Sequence, residues 1–134
     1  MISENIFKAI YAKATAAGNF RTATGGRFYL SEAPKGVAFP YAVYHLISNV
    51  PDNFFGPEIH HSTRIQINLF DDDNSAVAGI TDAFQYCTEL FDDCTLTVTG
   101  DTFVHMEREL DFLNRDIEAG IWQYKIQYHI LTVD

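Results

Sequence analysis

The sequence predicts an α+β fold, a largely antiparallel β-sheet with two helices packed on one face. Two segments carry apolar residues at the three-or-four spacing of a helical face, and most others have the alternation or the β-branched and aromatic composition of strands. The strands come in runs whose connections are short enough for hairpins, which favours antiparallel pairing. The predicted order is α-β-β-β-α-β-β-β, in a single domain that spans residues 1–134.

The first helix is predicted over about residues 2–17. Its apolar side chains recur on one face through Ile6 and Ile10, and several alanines favour the helix intrinsically. Gly18 can end it. A polar, glycine-rich stretch at residues 21–26 follows, and we expect no regular element there.

The first two strands are predicted at residues 27–30 and 41–49. The segment between them, residues 31–40, contains two prolines and a glycine and therefore predicts a loop. The second strand is rich in β-branched and aromatic residues. Pro40 precedes it directly, which fits the tolerance of proline at a strand's start.

The clearest strand in the sequence covers residues 63–70. Ile65, Ile67 and Leu69 alternate with polar residues, so one face of this strand should be buried. Residues 50–62, with two prolines and one glycine, predict a long hairpin connection before it.

An acidic run leads into the second predicted helix, at about residues 75–91. Asp71, Asp72 and Asp73 can cap that helix and oppose the positive end of its dipole. Cys87 lies on the apolar stripe of the helix, which indicates a buried core thiol rather than a nucleophile.

The C-terminal part of the chain predicts three more strands. They cover about residues 95–99, 104–110 and 121–133, and residues 113–120 form a charged turn before the last one. If the last strand lies at a sheet edge, its free backbone groups could pair with another chain, and otherwise it is an ordinary central strand.

The acidic composition excludes several function classes. The chain carries 9 Lys and Arg against 18 Asp and Glu, a net charge of −9, which argues against broad electrostatic binding to nucleic acid. No apolar run approaches the roughly 20 residues of a transmembrane helix, so no membrane partner is expected. Two cysteines are too few for a disulfide scaffold and suit a reducing compartment.

The sequence contains no clear motif of a catalytic or metal site. Glu107, Glu109 and Asp111 alternate along one face of the fifth predicted strand and could act as paired carboxylates, but an acidic sheet face is favoured. His60 and His61 lack the spacing of a zinc site, and solvated loop histidines are favoured. The sequence therefore predicts no catalytic residue, no metal and no cofactor.

Two adjacent phenylalanines are the unusual surface feature. Phe54 and Phe55 lie in a connection bounded by Pro51 and Pro57, where both side chains cannot easily reach the main core. An exposed aromatic pair usually marks a protein contact. The alternative is that one of the rings folds back and covers the edge of the sheet.

Several segments occur in an order that resembles a known family. These are the N-terminal helix, the Gly25-Gly26-Arg27-Phe28-Tyr29 region, the Phe39-Pro40-Tyr41-Ala42-Val43-Tyr44 entry into a strand, the strand at residues 63–70 running into an acidic helix cap, and the final aromatic strand with Trp122-Gln123-Tyr124. This order resembles the tail completion or tail terminator proteins of long-tailed bacteriophages and related tail-like particles. The similarity covers nearly the whole chain, but it consists of patterns rather than catalytic signatures.

The resemblance implies a structural virion assembly protein and not an enzyme. Members of that family are understood to form rings, commonly hexamers, that cap the tail tube and join it to the head connector. The implied partners are other copies of the chain, the tail tube protein and the head–tail connector protein, and DNA would pass through the ring without specific binding. The implied location is the tail or neck of the virion, after synthesis in the cytoplasm of the bacterial host.

Three alternatives stay open at this point. The chain could be another head–tail connector protein, such as a stopper. It could be an acidic inhibitor or immunity protein that blocks a basic nuclease. It could also be a small enzyme or ligand-binding module with a pocket under the sheet.

Two sets of residues are candidate sites for the assembly role. The candidate oligomer or partner contacts are Phe54, Phe55, Glu58, His60 and His61. The candidate channel-facing acids are Asp71, Asp72, Asp73, Asp92, Asp93, Glu107, Glu109 and Asp111. A channel lined by acids would let DNA slide, because like charges create no bound state.

Overall fold

The computed structural model describes residues 2–52, 58–72 and 78–133, which contain three helices and five strands. In chain order the elements are α1 (Ile2–Thr15), α2 (Asn19–Thr24), β1 (Phe28–Leu30), β2 (Tyr41–Asp52), β3 (His60–Asp72), α3 (Ala78–Phe91), β4 (Thr102–Asp116) and β5 (Ile121–Val133). The α+β class is confirmed. The predicted order is wrong in two places, because a third helix is present and one predicted strand is absent from the described residues.

The five strands form one mixed sheet in the order β1-β2-β3-β5-β4. β1 runs parallel to β2, and the other three pairs are antiparallel. β3 is the central strand, where Ile67 lies between Tyr44 of β2 and Ile126 of β5. The sequence leaves open whether the last strand lies at an edge or inside the sheet. In the structure β5 is internal, between β3 and β4.

The helix α2 occupies the stretch for which the sequence predicts no regular element. Phe20 and Thr24 are buried on one side of it, and the Phe20 ring meets the rings of Phe28 and Phe91 edge-on at 6.0 and 6.3 Å. The helix ends at Gly25, whose φ of 63° is readily available to glycine. A six-residue helix depends on such packing rather than on intrinsic propensity, so its sequence carries little signal.

Two strands are longer than predicted. β2 continues to Asp52 and β3 begins at His60, and these residues pair directly with each other. The long connection predicted at residues 50–62 is therefore wrong at both ends. Its middle, with Phe54 and Phe55, lies outside the described residues.

The fourth predicted strand is wrong, although its apolar pattern has a structural cause. Residues 95–99 form no strand, yet Leu96 and Val98 are buried. The Asn5 side-chain amide of α1 donates to the carbonyl of Thr99 at 2.9 Å, so the segment is tied to α1 rather than to a sheet neighbour. The alternation of apolar and polar residues in this segment reflects burial of one side of the chain and not hydrogen bonding to a neighbouring strand.

One hydrophobic core joins the helices to the sheet. It combines Ile6 and Ile10 of α1, Phe91 of α3, and the inward side chains of β3 and β5, such as Ile67 and Tyr128. Cys87 is fully buried in this core, as predicted, and burial raises the pKa of its thiol well above the ordinary value. Among the described helices, none combines the length and apolar character needed to span a membrane.

Candidate functional site

The edge of the sheet formed by β4 is the most exposed regular part of the described chain. All residues from 107 to 119 are exposed, and β4 pairs only with β5 among the described strands. Three large exposed apolar side chains, Leu110, Phe112 and Leu113, lie along this part of β4, and a fourth, Ile117, lies in the turn that follows with 79% of its surface exposed. We call these four residues the β4 edge patch. An exposed edge with free backbone groups and apolar side chains is typical of a site that pairs with another chain.

The strand predicted at residues 104–110 ends too early to include most of the β4 edge patch. The sequence predicts a charged turn over residues 113–120, whereas β4 extends to Asp116 and the turn covers only residues 117–120. The missed signal is the apolar Leu110, Phe112 and Ile117 within a charged segment. Lys125 lies over the Phe112 ring at 5.1 Å, and Arg115 lies over the Trp122 ring at 5.3 Å. These cation–π contacts tie β4 to β5 along the exposed edge.

The three acids of β4 do not share one face of the sheet, contrary to the prediction. A register irregularity between Arg108 and Leu110 breaks the alternation of β4. Glu109 accepts hydrogen bonds from Arg64 at 3.0 Å and Gln127 at 3.1 Å. Asp111 instead accepts from Arg108 at 3.1 Å. The bulge therefore separates the acids into two different polar clusters.

The first cluster is centred on the guanidinium of Arg108. Arg108 bridges Asp92 at 3.2 Å and Asp111 at 3.1 Å, and it lies 5.5 Å from the centre of the Phe84 ring. Tyr128 donates to Asp92 at 2.8 Å. Burial, together with the acids nearby, raises the pKa of the Tyr128 hydroxyl far above its ordinary value. Of two predicted channel acids, Asp92 thus holds β4 and β5 to the end of α3, and Asp111 joins the cluster from within β4.

A shallow cleft of about 290 Å³ lies beside this cluster, lined by Asp92, Asp93, Glu107 and Arg108. Asp93 follows α3 with a left-handed backbone, at φ 50°. The cleft contains carboxylates and one guanidinium, and no histidine lines it.

The second cluster lies on the opposite face of the sheet. Partial burial alone would raise the pKa of Glu109, but hydrogen bonds from Gln127 and Arg64 and the positive charge of Arg64 outweigh it and lower that pKa. Nearby, Glu107 lies 3.7 Å from His105 Nε2 and 3.5 Å from His129 Nδ1. The sequence pattern does not connect these three residues, because His129 is on the neighbouring strand and only the strand register brings it opposite Glu107.

The remaining sequence candidates lie at the two ends of β3. Glu58 and His60 are exposed and His61 is half-buried, and both histidines belong to β3 rather than to a loop. Asp71 and Asp72 end β3, and the Asp71 carboxylate lies against Gly79 in the first turn of α3. Burial raises the pKa of Asp71. Asp73 lies outside the described residues, as do Phe54 and Phe55.

Comparison with solved structures finds the same fold over the full chain. One chain of a structure described as the virion of a native gene transfer agent (GTA) particle superposes with a TM-score of 0.83, at 13% sequence identity, over 99% of this chain and 98% of that one. A second solved chain, which carries no descriptive name, superposes with a TM-score of 0.65 at 9% identity, over 97% and 96% of the two chains. These likenesses show a shared fold.

Comparison by sequence gives no match. No protein-family model matches the chain, and no curated protein matches it.

Proposed function

We propose that this chain is a structural virion protein that acts as a tail terminator or tail completion protein. In this role, copies of the chain form a ring, a hexamer, that caps the tail tube and joins it to the head connector. The observation that carries the proposal is the fold likeness to a chain of a gene transfer agent virion, which covers 99% of this chain and 98% of that one. The chain has no catalytic role in this proposal.

The sheet offers two different surfaces for a ring contact. A head-to-tail interface needs two distinct patches on each subunit. The β4 edge patch is one. The other is the opposite end of the sheet, where Asp52 and His60 flank the connection that contains Phe54 and Phe55 and where Glu58 and His61 also lie. Because β2 and β4 are separated by β3 and β5, one subunit could present each surface to a different neighbour.

The acidic residues support a channel that DNA passes without binding. Among the candidate acids, Asp93 and Glu107 are exposed and lie outside the ion pairs that Arg108 makes with Asp92 and Asp111. We assign the channel lining to these two acids, together with Asp71, Asp72 and Glu109, whereas Asp92 and Asp111 serve the Arg108 cluster. Like charges on protein and DNA keep the potential repulsive along the path.

The direct test is assembly with defined partners. The full chain is purified, its mass is measured by native mass spectrometry, and it is mixed with tubes assembled from the cognate tail tube protein for electron microscopy. We expect a ring of subunits at one end of the tube, and tubes that no longer lengthen.

Other outcomes would overturn the proposal in different directions. A protein that binds the connector and ignores the tube would be a stopper or another neck protein. A monomer that binds neither, but binds a basic nuclease tightly and in a salt-sensitive manner, would be an acidic inhibitor.

A further inference from the structure

We propose that His105, Glu107 and His129 form a zinc-binding site on the face of the sheet opposite the described helices. Their ligand atoms all lie within 4.8 Å of one another. The residues come from two neighbouring strands, since His105 and Glu107 are two apart on β4 and His129 is directly opposite Glu107 on β5. Side chains at such positions share one face of a sheet, so the backbone brings the three donors together.

A register irregularity in β4 creates this arrangement. Between Phe103 and His105 the pairing with β5 shifts by one residue, so that Met106 faces Ile130 in the core and Glu107 faces His129 outside it. Without that shift, Glu107 would pair with Tyr128, whose side chain is buried in the core. The bulge therefore places two histidines and a carboxylate on the same outer surface.

The distances are close to those of a coordinated metal. Zinc bonds of about 2.0–2.2 Å to nitrogen and oxygen place tetrahedral ligands roughly 3.4 Å apart. Glu107 Oε1 lies 3.7 Å from His105 Nε2 and 3.5 Å from His129 Nδ1. The His105 and Glu107 side chains are 44% and 55% exposed, so small rotations can bring them inward.

His129 is the fixed member of the set. Its side chain is only 15% exposed, and its Nε2 is hydrogen-bonded to the Ser62 hydroxyl of β3. When Nε2–H donates to Ser62 Oγ, the lone pair of Nδ1 points toward Glu107. Such an outer hydrogen bond is the usual means of fixing the tautomer and orientation of a metal-ligating histidine.

The charges around the site also favour a divalent cation. On the neighbouring strand β3, Arg64 lies opposite His129, and its charge is paired with Glu109 at 3.0 Å. Glu107 then leaves the site with a net negative charge. Two imidazoles and one carboxylate suit zinc better than Mg²⁺ or Ca²⁺, which prefer oxygen ligands, and a tetrahedral ion keeps its fourth position for water.

The test is a zinc titration of the full-length chain after removal of metals by chelation. Binding is followed by competition with a chromophoric zinc chelator, and bound metal is counted by mass spectrometry after gel filtration. We expect one zinc per chain, and no comparable binding when MgCl₂ is used as the probe. His105→Gln and His129→Gln should each remove the one-to-one binding, and Ser62→Ala should weaken it by roughly 10- to 100-fold with the ligands intact.

The matched control is His60→Gln, which changes an exposed histidine of the same sheet outside the cluster. This variant should bind zinc as the unmodified chain does. The thermal unfolding of every variant is measured without metal, so that loss of binding is separated from loss of folding. Absence of saturable binding would overturn the proposal, and so would equal binding by the His105→Gln and His129→Gln variants or equal loss in His60→Gln.

Discussion

The hydrogen bond between Tyr128 and Asp92 offers a sharp test of how the sheet is held to α3. Tyr128→Phe keeps the buried ring, which lies 6.0 Å from the ring of Phe91, and removes only the hydroxyl that donates to Asp92 at 2.8 Å. A hydrogen bond to a charged acceptor contributes about 1.5–3 kcal/mol. The Asp92 side chain is 31% exposed, so water partly replaces the lost donor. We therefore expect a loss of about 1–2 kcal/mol in the free energy of unfolding.

The same substitution should change the pH dependence of stability in a defined direction. Burial raises the pKa of Tyr128 above its ordinary value of 10.0, so above about pH 10 the unfolded chain loses a proton that the folded chain keeps. This tyrosine then lowers the free energy of unfolding by about 1.4 kcal/mol per pH unit as the pH rises, and it contributes no slope below pH 10. Tyr128→Phe should remove that part of the alkaline slope.

The measurement is urea unfolding at pH 7 and at several values above pH 10, followed by the fluorescence of the single tryptophan, Trp122. The matched control is Tyr124→Phe, which removes a more exposed hydroxyl that donates to Asp111 at 3.2 Å. The control should cost less than about 0.5 kcal/mol. If Tyr128→Phe is as mild as the control at pH 7 and keeps the full alkaline slope, the bond to Asp92 does not stabilise the fold as argued.

Four further variants test the core, the assembly surfaces and the acid stability. Ile67→Asp should prevent folding, because it places a charge at a fully buried position of the central strand, and a soluble protein that melts cooperatively would contradict this. Ile117→Asp should leave the melting temperature nearly unchanged, since this residue is 79% exposed. The same substitution should weaken ring assembly by roughly tenfold per contact, as measured by native mass spectrometry. Unchanged assembly would show that the β4 edge patch is not part of the interface. Phe54→Asp combined with Phe55→Asp should give a folded monomer that no longer assembles, and normal assembly of the double variant would sink that role. Glu109→Gln should make the free energy of unfolding fall less steeply in acid. The lowered pKa of Glu109 means that its ionised form stabilises the fold at neutral pH, and this stabilisation is lost as the pH falls below about 4.5. Identical acid unfolding of the two proteins would show that the hydrogen bonds from Arg64 and Gln127 are not net stabilising.

The sequence predicted correctly the helices and strands that have one continuous apolar face. The apolar stripes of α1 and α3 and the alternation of β3 and β5 are each set by one buried side, and the structure confirms these four elements. The same rule failed at residues 95–99, where one-sided burial occurs without a strand partner. It also failed at α2, whose six residues are held by the packing of Phe20 and not by propensity.

The candidate site was only partly within reach of the sequence. The acidic surface and the histidine-bearing strands were visible in the sequence, and acids such as Asp93 and Glu107 are exposed in the structure. The sequence did not show which of these residues lie together, because the bulges in β4 decide which face of the sheet each side chain occupies. A shift of one residue moves a side chain to the other face, and no periodicity within one strand reports such a shift.

The sequence by itself determined the α+β class, the apolar faces of four elements and the excess of negative charge. Each follows from the order and kind of nearby residues, which the periods of helix and strand convert into faces. The tertiary structure alone decided that β5 is internal, that β4 is the exposed edge, and that His129 stands opposite Glu107. These three features depend on pairing between strands that are distant in sequence. The same pairing divides the acids behind the net charge of −9 between the two faces of the sheet, where they form separate clusters.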